Sequence, residues 1–413
     1  QQLVELSPEH STAMLEGILN GPPPPDIVNL IKRTQGNPFF IEELVHALVA
    51  SGTLAKDENQ TWHLTCPPDE VTVPTSIEGL IMARLDQLDE PFQELVQVAS
   101  VIGHRFKLQV LEGVYRDPDL LHTGLQHLMA ADIVVMEDQP REFTYLFRHA
   151  LLHDIAYESI LYSQRRELHR RVAQRIEELN TGHLDEHLAL LARHYFLAGD
   201  WDVSFRFHLT AGVRAQNHYA NQEALALYAT ALDIAPRLKR GMENGRSPSR
   251  DNQPDLFAIL YPLFPTILQV AELYERTGYV YVRIGEYHRA HKPYMEALNL
   301  INQLNEEKER WNAEEKHFPI PNWQLSTTIV RLHRHIANLQ EQMANYDMAF
   351  DWLERGMSLV MSESQGELAR CYLVGSRLYY NQGEFDKCLE WAQQGRAVAE
   401  SIGNTIDQAH ASL

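Results

Sequence analysis

A pattern of small and aromatic residues that recurs through the second half of the chain constrains the fold most. In the window that starts at Ala271, positions 8, 11, 15, 20 and 27 are filled by Gly278, Tyr281, Gly285, Ala290 and Ala297. Small residues at this spacing allow the two helices of a hairpin to cross closely, since a larger side chain would push them apart. The pattern therefore predicts helical hairpins that stack in series and bury their apolar faces on one another.

The spacing matches the tetratricopeptide (TPR) repeat of about 34 residues. Similar windows begin at Asp185, Val330 and Ala369, and 221–236 reads as a further second helix. The last two starts are 39 residues apart, which indicates a lengthened, TPR-like repeat. Two polar, proline-bearing segments near 237–254 and 302–321 are predicted to be loop insertions.

The first half has a different organisation. Gly36-Asn37-Pro38 predicts a sharp corner, because glycine ends one helix while asparagine caps the next and proline starts it. Helices follow from about residue 75, and the period then changes to two around a polar turn, which predicts a β-hairpin at 133–147. We expect strand only in this hairpin and around Trp62. Helices closed by a hairpin are typical of a winged helix.

The predicted fold class is mainly α, with four segments in chain order. Residues 1–52 form a helical lid, 53–74 a linker, 75–178 a winged helix with the helix that follows it, and 179–413 a TPR-like α-solenoid.

Charge and cysteine content limit the partners. The chain has 36 Lys and Arg against 56 Asp and Glu, a net charge of −20, which disfavours binding to nucleic acid. No stretch approaches the roughly 18 apolar residues of a membrane span. Three cysteines without metal-binding spacing suit a reducing compartment, so we expect a cytoplasmic protein without membrane contact.

Searching the sequence for catalytic motifs gives no candidate. No GxxxxGK[ST] loop, GxSxG elbow or HExxH pair occurs. His149 and His153 are one helical turn apart, but without further ligands nearby we predict no metal site. We therefore predict no catalytic residue in this chain and no tightly bound cofactor.

Three segments together resemble a known family. Gln35-Gly-Asn-Pro-Phe-Phe-Ile-Glu-Glu-Leu44, Val73-Pro-Thr-Ser-Ile-Glu-Gly-Leu80 and Phe147-Arg-His-Ala-Leu-Leu-His-Asp154 are similar to STAND signal-transduction ATPases, which are related to AAA+ proteins. The order of elements resembles the ATPase–TPR module of bacterial class III nucleotide cyclases and large transcriptional activators. The resemblance implies that a P-loop core, Mg²⁺-binding acids and a separate effector domain precede Gln1.

The resemblance also implies site residues and a mechanism. Gly36 and Pro38 would contact adenine nucleotide, and His149 would reach the β-phosphate of ADP, although Ala150 stands where an aspartate is usual. ATP or ADP with Mg²⁺ would bind the full-length protein, and ADP would hold the lid and the winged helix closed on the ATPase core. A protein or small-molecule ligand on the concave face of the repeats would favour an open form that can oligomerise. The alternative is a TPR scaffold that binds proteins independently of nucleotide.

Overall fold

The computed structural model describes residues 5–58, 60–67, 71, 76–137, 143–243, 263–313 and 318–403. The chain divides into two compact units, residues 1–182 and 183–413. Helices dominate both units, and the two small sheets of the described residues lie in the first. The predicted fold class, mainly α with a small β-hairpin and a TPR-like solenoid, is confirmed. No helix of the described residues is long and apolar enough to cross a membrane.

Three helices open the first unit: α1 (Pro8–Leu19), α2 (Pro25–Ile31) and α3 (Pro38–Ala50). Strands β1 (Leu54–Lys56) and β2 (Trp62–Leu64) pair antiparallel directly after α3. The indole N–H of Trp62 donates to the carbonyl of Leu19 over 2.8 Å, and Leu54 is fully buried in the same core as α1–α3. The segment predicted as a linker therefore adds a hairpin to this core.

The rest of the first unit surrounds a three-stranded sheet of order β3-β5-β4. The hairpin predicted at 133–147 is present as β4 and β5, but β3 pairs with β5 as a third strand, so the expectation of strand only at 133–147 and Trp62 was wrong. Buried Phe106 fixes β3 by contacting Tyr145 and Phe147. The elements are α4 (Ile77–Asp86), α5 (Glu90–Ile102), β3 (Arg105–Lys107), α6 (Leu108–Val114), α7 (Pro118–Ala130), β4 (Val134–Glu137), β5 (Thr144–Phe147), α8 (Ala150–Glu158) and α9 (Tyr162–Leu179).

The second unit consists of helices that pair with their neighbours along the chain. Tyr294 packs against Gly278 in one hairpin, so closely that a Cβ on Gly278 would lie 2.7 Å from the ring. Gly212 meets Tyr228, and Gly375 meets Trp391, in the same way and at the same separation of 16 residues. The helices are α10 (Leu188–Ala198), α11 (Trp201–Asn217), α12 (Asn221–Glu243), α13 (Leu263–Arg283), α14 (Tyr287–Ala313), α15 (Asn322–Gln342), α16 (Tyr346–Met357), α17 (Gln365–Gln382) and α18 (Phe385–Ser401).

The loop insertion predicted near 302–321 was largely wrong. Helix α14 continues to Ala313, and the ring of Trp311 meets that of Phe318 edge-on at 5.6 Å. Leu304, Lys308 and Trp311 are buried, so the apolar face of the helix outweighs the local charge. Near 237–254, helix α12 runs through Pro236 to Glu243, and residues 244–254 lie outside the described residues.

Candidate functional site

The corner at residues 35–38 has the predicted geometry. Gln35 and Gly36 both adopt left-handed backbone conformations, with φ of 52° and 75°. The Gly36 carbonyl accepts a hydrogen bond of 2.9 Å from the N–H of Leu6, and a Cβ on Gly36 would collide with the Leu6 carbonyl oxygen. Glycine is thus required here by the close approach of another backbone segment, whether or not a ligand binds.

The first turn of α3 offers no free N–H to a ligand. Pro38 lacks an N–H, and the side-chain oxygen of Asn37 accepts from Phe39 and Phe40 at 3.1 and 3.3 Å. The next N–H, on Ile41, donates to the carbonyl of Asn37. A nucleotide at this corner would therefore be held by packing and not by N–H groups of the helix N-terminus.

A cavity of about 260 Å³ lies beside Gly36. Its lining is mixed: Leu6, Val28 and Ile31 are apolar, whereas Ser11, Thr12, Lys32 and Gln35 are polar. Such a mixture suits a flat heteroaromatic ring that needs apolar faces and a few polar edge contacts.

His149 lies against the same helix as the corner. It is the residue before α8, and its ring centroid is 4.2 Å from that of Phe39. Its Nε2 is buried and has no hydrogen-bond partner among the described residues; the Glu42 carboxylate is 3.9 Å away. The structure thus brings His149 beside the helix that Pro38 starts, with Nε2 buried and unpaired among the described residues.

The other histidine of the pair faces elsewhere. Both ring nitrogens of His153 have partners, the Ser100 carbonyl at 3.0 Å and the Asp154 carboxylate at 2.8 Å. His149 and His153 therefore do not converge on a shared ligand.

Charged side chains surround His149. Oxygen and nitrogen atoms of Glu42, His46 and Asp132 lie within 4.8 Å of one another, a grouping that could hold a metal ion. Arg148 already occupies the position between the acids, with Nη1 2.6 Å from Asp132 and Nη2 3.9 Å from Glu42. The guanidinium supplies the positive charge that two neighbouring carboxylates require.

In the second unit, a polar cavity of about 350 Å³ lies between α11, α13 and α15. Each of these is the first helix of its hairpin. The glycine–aromatic contacts show this for α11 and α13, and the order of helices shows it for α15. Both charge signs and a phenol line it: Gln216, Glu272, Glu275, Arg276, Tyr279, Arg331 and His335. Such a wall can bind the backbone and side chains of a peptide.

Glu275 is the most constrained group of this cavity. Nε and Nη2 of Arg331 donate to its two oxygens at 2.6 and 2.8 Å, and His335 lies 3.3 Å away. Burial raises the pKa of Glu275, but the hydrogen bonds from His335 and Arg331 outweigh it and lower the pKa to about 2. The His335 ring stacks on Tyr294, which fixes it as well.

Sequence reasoning did not single out these residues, although a signal was present. On α15, polar residues recur three or four positions apart at Arg331, Arg334, Asn338 and Glu341. This spacing places them on one face of the helix.

Comparisons with known sequences do not assign the chain to a family. No family model matches the chain. An uncharacterised protein of Rhizobium meliloti strain 1021 is 26% identical over 244 residues, which cover 56% of this chain but only 21% of that protein. The chain thus matches about a fifth of the length of this curated relative.

Several solved structures resemble this chain at low sequence identity and low TM-score. A STAND protein with a TPR sensor from Pyrococcus horikoshii is 12% identical, and the match covers 98% of this chain and 56% of that one at a TM-score of 0.37. Aspartyl phosphate phosphatase F from Bacillus subtilis is 13% identical, with 83% and 80% covered and a TM-score of 0.38. A Rap protein complexed with competence and sporulation factor is 10% identical, with 81% and 80% covered and a TM-score of 0.36. At such TM-scores the similarity does not indicate what this chain binds.

Proposed function

We propose that this chain is the regulatory and sensor region of a STAND-type signal-transduction ATPase. The repeats of the second unit bind a segment of a partner, and the first unit contacts adenine nucleotide held by an ATPase core. The observation that carries the sensor role is the polar cavity between α11, α13 and α15, because side chains from three different hairpins converge on it. A ligand bound there would contact several hairpins at once, so its affinity would depend on how these hairpins are arranged.

Two features of the first unit support the nucleotide role. The cavity beside Gly36 has the mixed lining that an adenine ring requires, and Pro38 starts the helix next to it. On the same helix, Phe39 contacts His149, whose Nε2 can donate to a phosphate oxygen. ADP bound by both groups would hold the closed state, whereas a partner on the repeats would favour the open one.

The test requires the complete gene product loaded with a fluorescent ADP analogue. A hydrogen bond to a charged group contributes about 1.5–3 kcal/mol, so His149→Ala should release the analogue roughly ten- to a hundred-fold faster. His122→Ala, an exposed histidine on α7, is the matched control. The unfolding midpoint should stay unchanged in both variants. Unchanged release, or release that rises only together with a lowered midpoint, would remove His149 from the switch.

The alternative is a scaffold that binds partners independently of nucleotide. Partner affinity of the complete protein, measured with ADP and with ATP bound, distinguishes the two functions. In the regulatory role, partner affinity differs between the ADP- and ATP-loaded forms, because each ligand favours a different state. Equal partner affinity in both forms would favour the scaffold.

A further inference from the structure

Glutamate–arginine pairs join the neighbouring first helices α13, α15 and α17. Glu275 of α13 pairs with Arg331 of α15 at 2.6 Å. Arg377 of α17 pairs with Glu341 of α15, its Nε 2.7 Å from the carboxylate. Arg334 of α15 pairs with Glu367 of α17 at 2.9 Å. One polar row therefore crosses three consecutive hairpins.

In each pair the acid is buried and the arginine is more exposed. The side chains of Glu275 and Glu341 are 9% and 4% exposed, against 32% and 51% for Arg331 and Arg377. A ligand that reaches this row meets guanidinium groups, while the carboxylates lie beneath them. The chain as a whole is acidic, but charges more than about 8 Å away are largely screened at physiological salt.

Arg331 and Arg377 are held in the same orientation. Each uses Nε and Nη2 to donate to its glutamate, and Nη1 has no hydrogen-bond partner among the described residues. Asn338 also accepts from Nη2 of Arg377 at 2.8 Å. Two guanidinium groups are thus preorganised, and each can donate to one more acceptor. Carboxylates are the acceptors that guanidinium groups bind most strongly.

The positions of the two arginines set the spacing of the ligand. Arg377 contacts Asn338 and Glu341, seven and ten residues beyond Arg331 on α15, so at 1.5 Å per residue the two guanidinium groups are offset by about 10–15 Å along the helix. They also lie on opposite sides of α15, which brings their separation to roughly 16 Å. An extended chain advances about 3.3 Å per residue, so about five residues span that distance. We propose that the groove binds an extended segment of a partner protein with acidic side chains about five residues apart. This inference rests on the proposed sensor role of the repeats and specifies its ligand.

Three labelled peptides of equal length test the inference by fluorescence anisotropy on the purified chain. One carries glutamate at every fifth residue among serines, the second has the same glutamates adjacent to one another, and the third carries lysine at every fifth residue. We expect the spaced glutamate peptide to bind at least ten-fold more tightly than the other two. Its affinity should fall as salt increases.

Variants locate the binding. Because Arg331→Gln or Arg377→Gln alone would leave a buried acid unpaired, the double variants E275Q/R331Q and E341Q/R377Q test the two positions without a folding defect. Each double variant should weaken the spaced peptide about ten-fold, whereas Arg396→Gln, on the second helix α18, should not change binding.

Equal binding of all three peptides, stronger binding of the lysine peptide, or no binding at all would overturn the acidic preference. None of these results bears on ADP release by the complete protein, which tests the proposed switch separately.

Discussion

The pair formed by Glu43 and Arg84 holds the first unit together at the junction of three helices. Nη1 of Arg84 lies 2.6 and 2.5 Å from the two carboxylate oxygens, and the side chains are only 2% and 9% exposed. Arg84 also donates to the carbonyl of Ala131 at the end of α7. Glu43→Gln would leave a buried guanidinium without its counter-charge, which costs about 3–5 kcal/mol. At about 2–4 °C per kcal/mol, the first unit should melt roughly 10 °C lower.

Urea unfolding followed by circular dichroism measures the effect as a shift in midpoint at constant slope. Glu16→Gln, at an exposed position of α1, is the control and should change stability by less than about 0.5 kcal/mol. The apolar replacement E43L/R84M removes both charges and should recover most of the loss, because neither partner is left unpaired. A wild-type midpoint for E43Q, or a double variant less stable than E43Q, would refute this reasoning.

Three further predictions concern single positions. Gly36→Ala should destabilise the first unit by more than about 1 kcal/mol in urea unfolding, since its φ is 75° and a Cβ would collide with Leu6. Ala344→Gly should instead stabilise the second unit by about 0.5–1 kcal/mol, because exposed Ala344 has a φ of 58°; a lower midpoint would contradict this. Burial lowers the pKa of His194 to about 4. Its contribution to stability, up to about 3 kcal/mol, is complete above about pH 6.5 and lost as the pH falls to about 4, so His194→Gln should flatten the pH dependence of the midpoint.

Local signals in the sequence predicted local structure well. Ser7 and Asn37 cap their helices through side-chain oxygens, as each Ser-Pro or Asn-Pro pair predicts. The change of period at 133–147 predicted β4 and β5, but β3 has only three residues, too few for a period to show. Its pairing with β5 is a tertiary effect.

One hairpin of the second unit was predicted only in its second helix, at 221–236. Helices α11 and α12 pair through Gly212 and Tyr228, but Tyr219 occupies the left-handed turn position where glycine is expected. The spacing of Ile301, Leu304 and Trp311 in α14 was likewise obscured by the glutamates between them.

The candidate sites were predicted in part. Gly36, Pro38 and His149 were identified from the resemblance, and their contact with nucleotide stays a prediction. The pairing within the polar row could not be predicted, because each pair joins residues on different hairpins, such as Glu275 and Arg331. Spacing along one helix does not show which partner lies on the next.

The central claim, that the face formed by the first helices binds the partner, is tested most directly by site-specific photo-crosslinking in cells that produce the complete protein. A benzophenone amino acid would replace Tyr279, which lines the polar cavity, or Phe385, which is 63% exposed on α18. We predict a crosslinked partner from position 279, absent from position 385 and lost when the double variant E341Q/R377Q is introduced. A crosslink only from position 385, or one from position 279 that persists in E341Q/R377Q, would contradict the account.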